Sequence, residues 1–344
     1  MNLSLLKDVV LDLVQGHHDA DGIGPDPYQP VPMRHAMAEG KFLASISELA
    51  RTGVLSSQRA ETMAAASLHR LGEIQSETEY GIAFGLGFDW KGIPNSTPFT
   101  ITTAIVADGL DRAASVVREP EPFWKMAAAT KDWLTSDDAL DAASRLPNFS
   151  PGYPTVITNV VGFWAYVLRD SHPDFAVAGR RYVEAAYVPS VGWTYAPNEK
   201  RLDLLHVCYT ARAVLDQPEK AHRVATAVSR FFTPTGLIDK IDMMSLAEAD
   251  AAANRAIDAL ITIEETRAFL LHAVPARPWS IGELLTVCAG SPGDGTLDNF
   301  WRSVAVQSIK QLGSMDLVAD GPRHTMHLAH GMASHLATAR TLSR

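Results

Sequence analysis

Five long segments of the chain are apolar or small on nearly every face, and they constrain the fold more than any other feature of the sequence. A helix that is apolar all round is one that is buried on all sides. Each segment runs for 11 residues or more, whereas strands favour about four to eight, so the sequence predicts buried helices rather than buried strands. The segments are residues 97–110, 153–168, 203–215, 279–289 and 324–336.

Segments of a second kind alternate with these and carry apolar residues on one face only. Residues 57–75, 219–232 and 301–315 each place an apolar stripe along one side of the helical wheel, with charged residues on the other. This pattern is typical of helices that are packed on one side and wet on the other. A loop rich in Gly, Pro and aromatic residues leads into each buried segment, and the unit recurs about every 50–60 residues, as stacked helix pairs do.

The repeat predicts an all-α fold, an (α/α) toroid of about five to six helix pairs whose buried helices form an inner ring. The alternative is an open solenoid built from the same pairs, but open solenoids carry a tighter repeat consensus than this chain has. No linker interrupts the pattern, so residues 1–344 are predicted to form a single toroid domain.

Composition and charge exclude several classes of partner. A net charge of −9 and the absence of any run of more than two Lys or Arg residues argue against nucleic-acid binding. No segment approaches 18 consecutive apolar residues, so no membrane span is expected. Lys7, Asp8 and Asp12 interrupt the apolar N-terminus as no signal-peptide core does, which predicts a cytoplasmic protein. Cys208 and Cys288 lack the spacing of a metal or redox pair and are predicted to be free thiols.

Polar and aromatic residues concentrate in the loops and first turns of the buried helices. In a toroid these positions surround one end of a central cavity, so their side chains are the natural candidates for ligand binding. Aromatic rings stack on the faces of pyranose sugars, and carboxylate and imidazole groups pair with hydroxyls, which predicts a saccharide or another small-molecule ligand. The predicted substrate-binding residues are Asp89, Trp90, Tyr153, Trp193, Arg201, Trp279, Glu283 and His327.

Residues 191–215 combine an aromatic loop with the start of a buried helix. A Trp-x-Tyr loop is followed by a helix that opens Asp-x-x-His-x-x-Tyr. The residues of this motif are Trp193, Tyr195, Asp203, His206 and Tyr209. The segment resembles that of bacterial (α/α)-toroid proteins encoded with polysaccharide-biosynthesis genes, and residues 92–110 are similar to the preceding repeat of those proteins. The resemblance covers about a third of the chain and implies a toroid that handles polysaccharide.

The spacing within this motif predicts a catalytic group. Asp203 and His206 lie three residues apart and therefore share one face of a helix. A carboxylate can orient a histidine and make it a general acid or base near pH 7. Tyr209 lies one turn further along and Tyr195 lies in the loop, so we predict that both share in proton transfer. The structural alternative is that Asp203 caps the helix and His206 is a satisfied core histidine.

Taken together, these residues predict a carbohydrate-binding protein that modifies its ligand by hydrolysis, elimination or epimerisation. Hydrolysis needs two carboxylates across the bond, for which Asp89, Asp203 and Glu283 are candidates. Elimination or epimerisation beside a uronate needs a His or Tyr base and an Arg or metal for the carboxylate, for which His206, Tyr195 and Arg201 are candidates. Two further classes stay open, a non-catalytic scaffold for a protein partner and a toroid that encloses an isoprenoid chain.

Three other motifs are consistent with metal binding but lack the context that it requires. Residues 16–24, GHHDADGIG, follow an amphipathic helix rather than a buried strand. Residues 137–141, DDALD, follow a Thr-Ser pair that is typical of a helix cap. His324, His327 and His335 share a helix face, but no carboxylate or cysteine at a clear spacing completes a set of ligands. We therefore predict no metal and no cofactor.

Overall fold

The computed structural model describes residues 3–189, 191–197, 199, 201–233, 236–242, 274–291, 296–317 and 321–341. Within these residues the chain forms 12 α-helices. They belong to two sets that alternate along the sequence, one buried on nearly all sides and the other buried on one side.

The inner set is α2 (Ala36–Arg51), α4 (Thr100–Ala114), α6 (Thr158–Leu168), α8 (Leu204–Ala211), α10 (Pro278–Gly290) and α12 (Pro322–Thr341). The outer set is α1 (Leu3–Asp19), α3 (Ser57–Ile74), α5 (Glu121–Leu134), α7 (Pro173–Ala185), α9 (Ala221–Ser229) and α11 (Thr296–Leu312). Two short 3₁₀ helices, Arg212–Val214 and Pro218–Lys220, follow α8.

The inner helices close into a ring. Helix α2 contacts α4, and the contacts continue in the order α4, α6, α8, α10 and α12 until α12 contacts α2 again. Each inner helix is also covered by the outer helix that follows it in sequence, and α12 is covered by α1. The predicted toroid of helix pairs is therefore confirmed, because an open solenoid would leave its first and last inner helices apart.

The inner helices run in the same direction around the ring. In α10 and α12, Gly282 lies against Leu328 near the start of both helices, and the Ala289 carbonyl accepts from the Thr338 hydroxyl near their ends. We call the end of the ring at which the inner helices begin the mouth. Because the inner helices are parallel, their first turns all face the mouth.

Short antiparallel pairs of strands fill the loops at the mouth. β1 (Ile23–Asp26) pairs with β2 (Gln29–Arg34), β3 (Ser76–Thr78) with β4 (Gly81–Ala83), and β5 (Asn148–Ser150) with β6 (Tyr153–Val156). β7 (Arg201–Asp203) and β10 (Val274–Pro275) flank β9 (Gly236–Asp242), which also pairs with β8 (Phe232–Thr233).

Inner helix α6 begins later than the sequence predicts. Residues 153–168 are predicted to form one helix, but Tyr153 lies in β6 and the helix begins at Thr158. Pro154 accounts for the difference, since a residue before proline is pushed out of the helical region into an extended conformation. Helix α4 likewise begins at Thr100, three residues into the predicted segment 97–110.

Neither the helices nor the cysteines contradict the composition-based predictions. Across the part of the chain that the structure describes, no helix combines the length and the apolar character needed to cross a membrane. Cys208 is buried, Cys288 is half-buried, and both are free thiols, as the sequence predicts.

Glycines set the closest approaches between neighbouring inner helices. A Cβ atom built on Gly109 of α4 would lie 2.2 Å from the carbonyl oxygen of Gly40 in α2. In the same way, a Cβ on Gly331 of α12 would lie 2.0 Å from the carbonyl oxygen of Gly282 in α10. Both obstacles are backbone atoms, so they can be relieved only by moving a whole helix.

We therefore expect Gly109→Ala to destabilise the protein by about 1–3 kcal/mol, because the strain of separating two packed helices exceeds the gain in helix propensity. The control is Gly72→Ala in outer helix α3, where a Cβ meets nothing within 4 Å. That variant should gain about 0.5–1 kcal/mol. Chemical denaturation of the two variants measures the difference, and equal stabilisation by both would contradict the close helix contact.

Candidate active site

The first turn of α8 carries the predicted Asp-x-x-His pair. Asp203 is the N-cap of the helix, and its Oδ1 accepts a hydrogen bond from the His206 amide at 3.3 Å. The same oxygen lies 2.8 Å from Nδ1 of the His206 ring. Asp203 is 2% exposed while the His206 side chain is 22% exposed. Asp203 therefore caps the helix and lies within ion-pair distance of the imidazole, which is accessible in front of it.

The surroundings of Asp203 keep it ionised. Burial alone would raise the pKa of this carboxyl, but the His206 imidazole and the Lys240 ammonium lower it below its usual range. Lys240 Nζ lies 3.9 Å from Oδ2 of the carboxylate. An ionised carboxylate at Nδ1 favours the ring form that carries its proton there, which leaves Nε2 as the nitrogen that can accept a proton.

Two tyrosines of the motif pack around this imidazole. The ring centroids of Tyr195 and His206 are 4.6 Å apart at an interplanar angle of 83°. The Tyr209 ring centroid lies 6.4 Å from that of His206. The structure thus brings all four predicted catalytic residues, Tyr195, Asp203, His206 and Tyr209, into one cluster.

Tyr209 is joined to the predicted substrate-binding residue His327 of α12. Nδ1 of His327 lies 2.6 Å from the Arg323 carbonyl oxygen, which can only accept, so Nδ1 carries the proton and donates. Nε2 then accepts from the Tyr209 hydroxyl at 2.6 Å. Burial and the nearby Lys41 lower the pKa of His327 to about 3, so the ring is neutral at neutral pH.

The first turn of α12 adds a stack of aromatic and cationic groups beside this pair. The His324 ring centroid lies 4.0 Å from that of Trp279, which lies in the first turn of α10. The Arg323 guanidinium lies 5.0 Å from the Trp279 ring and 5.2 Å from the Phe88 ring, and its Nε donates to Asp26 at 2.8 Å. Burial and Arg323 lower the pKa of His324 to about 2, so this ring also stays neutral.

Glu283 lies deeper, on the axis of the ring rather than at the mouth. It is completely buried, and it pairs with the Lys41 ammonium on one oxygen and with the Arg212 guanidinium at 3.1 Å on the other. Burial alone would raise the pKa of Glu283, but Lys41 and Arg212 lower it to about 2. Its placement makes it the counter-ion of two buried cations.

Trp193 and Asp89 are each held by a hydrogen bond to the backbone. The Trp193 indole is buried and donates to the Val183 carbonyl at 2.9 Å, which ties the loop to α7. The exposed Asp89 accepts from the Asn95 amide at 2.9 Å. Both placements favour a structural contribution from these two side chains.

Trp90 and Tyr153 form a second aromatic group, away from His206. Their ring centroids are 5.8 Å apart, and both rings pack against Phe149. Tyr153 is exposed and Trp90 half-buried, so their outer edges are accessible. Arg201 begins β7, two residues before Asp203, and its side chain lies outside the described part of the structure.

Sequence reasoning missed Asp26, His35 and Arg323. Asp26 lies in a proline-rich stretch that reads as a plain connecting loop, although it accepts two hydrogen bonds from Arg323 and lies 3.7 Å from the His35 ring. Arg323 could have been found, since a charged residue in the first turn of a buried helix is the same signal that identifies Asp203.

The histidine- and aspartate-rich motifs are engaged in other bonds. His327 uses both ring nitrogens, and His17 of the 16–24 motif pairs with the buried Glu39 at 3.2 Å. Asp141 of the DDALD motif accepts from the Ser144 amide at 2.8 Å. Over the described residues, no group of three or more His, Cys, Asp or Glu side chains is arranged to hold a metal ion.

The pKa of Glu283 leads to a prediction about acid stability. Its value in the folded protein, about 2, is below the ordinary 4.5. The ionised Glu283 carboxylate, bound by Lys41 and Arg212, therefore stabilises the fold fully above about pH 4.5. This stabilisation is lost as the pH falls towards 2, because the carboxylate becomes protonated. Glu283→Gln should cost about 3–5 kcal/mol at pH 7, because two buried cations lose their counter-ion, and should flatten the decline in acid.

The control for this prediction is Glu121→Gln, which removes an exposed carboxylate from a surface pair with Lys125. Surface pairs contribute about 0–1 kcal/mol, so this variant should follow the wild type at every pH. Urea denaturation between pH 3 and pH 7 measures both effects. An unchanged pH profile for Glu283→Gln would show that the axial pair does not carry the acid sensitivity.

Comparison with solved structures shows that the fold of almost the whole chain resembles that of known proteins. No family model matches the chain, and no curated protein matches its sequence. A sugar epimerase from a ruminal bacterium superposes with a TM-score of 0.64 at 11% identity, covering 97% of this chain and 98% of that one. The cellobiose 2-epimerase from Spirochaeta thermophila gives 0.61 at 10% identity, with 99% and 98% covered. Rex8A from Paenibacillus barcinonensis, complexed with xylose, gives 0.56 at 11% identity, with 98% and 93% covered. These similarities show that the chain has the α/α toroid fold.

Proposed function

We propose that the protein is a carbohydrate-modifying enzyme that moves a proton at the carbon next to a sugar carbonyl, as isomerases and epimerases of reducing sugars do. The observation that carries the proposal is the Asp203–His206 pair, a partly exposed imidazole held 2.8 Å from a buried carboxylate. Such a pair is suited to act as a general base near neutral pH. The sugar epimerases that share the fold support the same class by analogy.

The candidate carboxylates favour proton transfer over hydrolysis. A two-carboxylate hydrolase needs one protonated carboxylic acid at neutral pH. The pKa values of Glu283 and Asp203 are both lowered, despite burial that alone would raise them, by the cations and imidazole around them. Asp89 accepts a backbone hydrogen bond in an exposed loop. Burial raises the pKa of Asp239, but this side chain is fully buried beneath Arg277 and is therefore not accessible to a substrate.

In the proposed reaction, Nε2 of His206 takes the proton from the sugar carbon, and Asp203 balances the positive charge that forms on the imidazole. Negative charge then develops on the sugar's carbonyl oxygen. Lys240 lies 3.9 Å from Asp203, and Arg277 lies 4.7 Å from the Trp279 ring centroid, so two partly exposed cations are available to stabilise it. Return of the proton to the neighbouring carbon, with the hydroxyl proton passing to the former carbonyl oxygen, completes isomerisation, and delivery of a proton to the opposite face of the same carbon completes epimerisation.

Two alternatives receive less support. An isoprenoid chain needs an apolar cavity wall, whereas the axis carries the buried charges of Lys41, Asp108, Arg212 and Glu283. A scaffold role has no specific contact in its favour, and the experiment below distinguishes it from catalysis.

We also propose that the six inner helices are the complete inner layer, which gives six helix pairs. A cytoplasmic location and a role in polysaccharide biosynthesis stay predictions from the sequence.

The test is hydrogen–deuterium exchange at the carbon next to the carbonyl, followed by proton NMR in D₂O with a panel of aldoses, ketoses and cellobiose. The wild type should exchange this proton. His206→Gln should slow exchange by at least about 100-fold, the contribution of a positioned general base, and should change stability by no more than about 1 kcal/mol. The control His69→Gln alters a histidine whose side chain is 78% exposed and should keep the full rate.

Each outcome separates two hypotheses. Exchange at the wild-type rate in His206→Gln would remove this residue from the reaction. Release of monosaccharide from an oligosaccharide without exchange would establish hydrolysis instead. A wild type that neither exchanges the proton nor is stabilised by any sugar would indicate the scaffold role.

A further inference from the structure

A cavity lies at the end of the ring opposite the mouth. It has a volume of about 350 Å³ and is lined by the last turns of inner helices, including Ala289 of α10 and Thr338 of α12. Trp279 marks the mouth on α10, and ten residues separate it from Ala289. At a rise of 1.5 Å per residue, this cavity is therefore about 15 Å from the mouth along the axis.

The lining of this cavity is rich in arginine. Four arginines face it, against the two acids Glu48 and Asp216. The arginines are Arg112, Arg169, Arg180 and Arg212. A guanidinium presents its donors in a planar fork that matches carboxylate and phosphate oxygens. Each of these arginines already has a carboxylate partner, so an oxyanion would bind through the donors that those partners leave free.

Donors on two of these arginines are left over. The Arg212 side chain is 4% exposed and donates through Nη2 to Glu283, but its Nε has no hydrogen-bond partner among the described residues. The buried Nε of Arg180 likewise has no hydrogen-bond partner among the described residues. A buried donor without a partner costs about 1–3 kcal/mol, so a ligand that accepts from it gains that interaction.

The carboxylate partners of the two outer arginines, Arg180 and Arg169, are easily exchanged. Arg180 pairs with Asp216 at 3.2 Å, and Arg169 pairs with Asp170 at 3.3 Å, but both aspartates are exposed. Exposed ion pairs contribute about 0–1 kcal/mol and hold their side chains only weakly. The Arg180 guanidinium can therefore turn to a bound anion at little cost, whereas Arg169 is also held by the Tyr166 carbonyl, to which its Nη1 donates at 2.7 Å.

We propose that this cavity binds the phosphate or carboxylate group of a small molecule, with Arg180 and Arg169 at its rim and Arg212 at its base. The apolar side of the cavity, which includes Leu215 and Ala337, accommodates an uncharged part of the ligand. The site is separate from the mouth and does not depend on the proposed sugar chemistry.

The first measurement is made on the wild-type protein. Inorganic phosphate, a hexose 6-phosphate and citrate are each titrated at a constant ionic strength kept with sodium chloride. Thermal melting and calorimetry should show saturable binding of at least one of them, with a melting temperature that rises with ligand. Preference for the phosphates or for citrate identifies the anion class. Absence of saturable binding for all three overturns the proposal.

Matched variants locate the site. Arg180 and Arg181 are neighbours on α7 with the same charge, but Arg180 lines the cavity while Arg181 is exposed on the outer surface. Arg180→Gln should weaken the binding constant at least tenfold, and Arg181→Gln should change it less than twofold. Arg169→Gln should repeat the first result. Equal losses in Arg180→Gln and Arg181→Gln would mean that the anion binds through general surface charge, which also overturns the proposal.

Discussion

Glu283 lies on the axis of the ring between two cations that come from different parts of the chain. Lys41 reaches it from α2 and Arg212 from the turn after α8. A buried ion pair adds little net stability once the loss of hydration is counted, but removing one partner costs about 3–5 kcal/mol. The effect of this arrangement is therefore on specificity. An inner helix displaced by one turn would leave a charge in the interior without a partner.

This constraint extends to the candidate active site. Arg212 follows α8 directly, and Asp203 caps the same helix, so the pairing of Arg212 with Glu283 fixes the height of the Asp203–His206 pair along the axis. Arg323 fixes the position of α12 at the mouth, because its side chain is held by Asp26. Its carbonyl also sets the tautomer of His327. The polar side chains that carry the proposed chemistry thus lie on helices whose register is already determined.

The pattern of apolar residues predicted the buried segments and the spacing of the Asp-x-x-His-x-x-Tyr motif, because both depend on local periodicity. It did not reveal α2, because this helix buries Glu39, Lys41 and Glu48 and its sequence therefore resembles that of a solvent-exposed helix. Its charges are compensated by residues far away in sequence, as Glu39 is by Arg70. For the same reason Glu283 resembled a ligand-binding carboxylate in the sequence, where its two cations could not be seen.

The separation of Lys41 from Glu283 along the chain has a consequence for biosynthesis. They are 242 residues apart, and a ribosome adds about 5–20 residues per second, so α2 waits on the order of 10–50 s for its counter-ion to be made. Until then the nascent chain is an unfinished arc with a lysine destined for the interior and apolar helix faces exposed. The ring can close only after α12 has emerged, so the N-terminal helices must be kept from aggregating during synthesis.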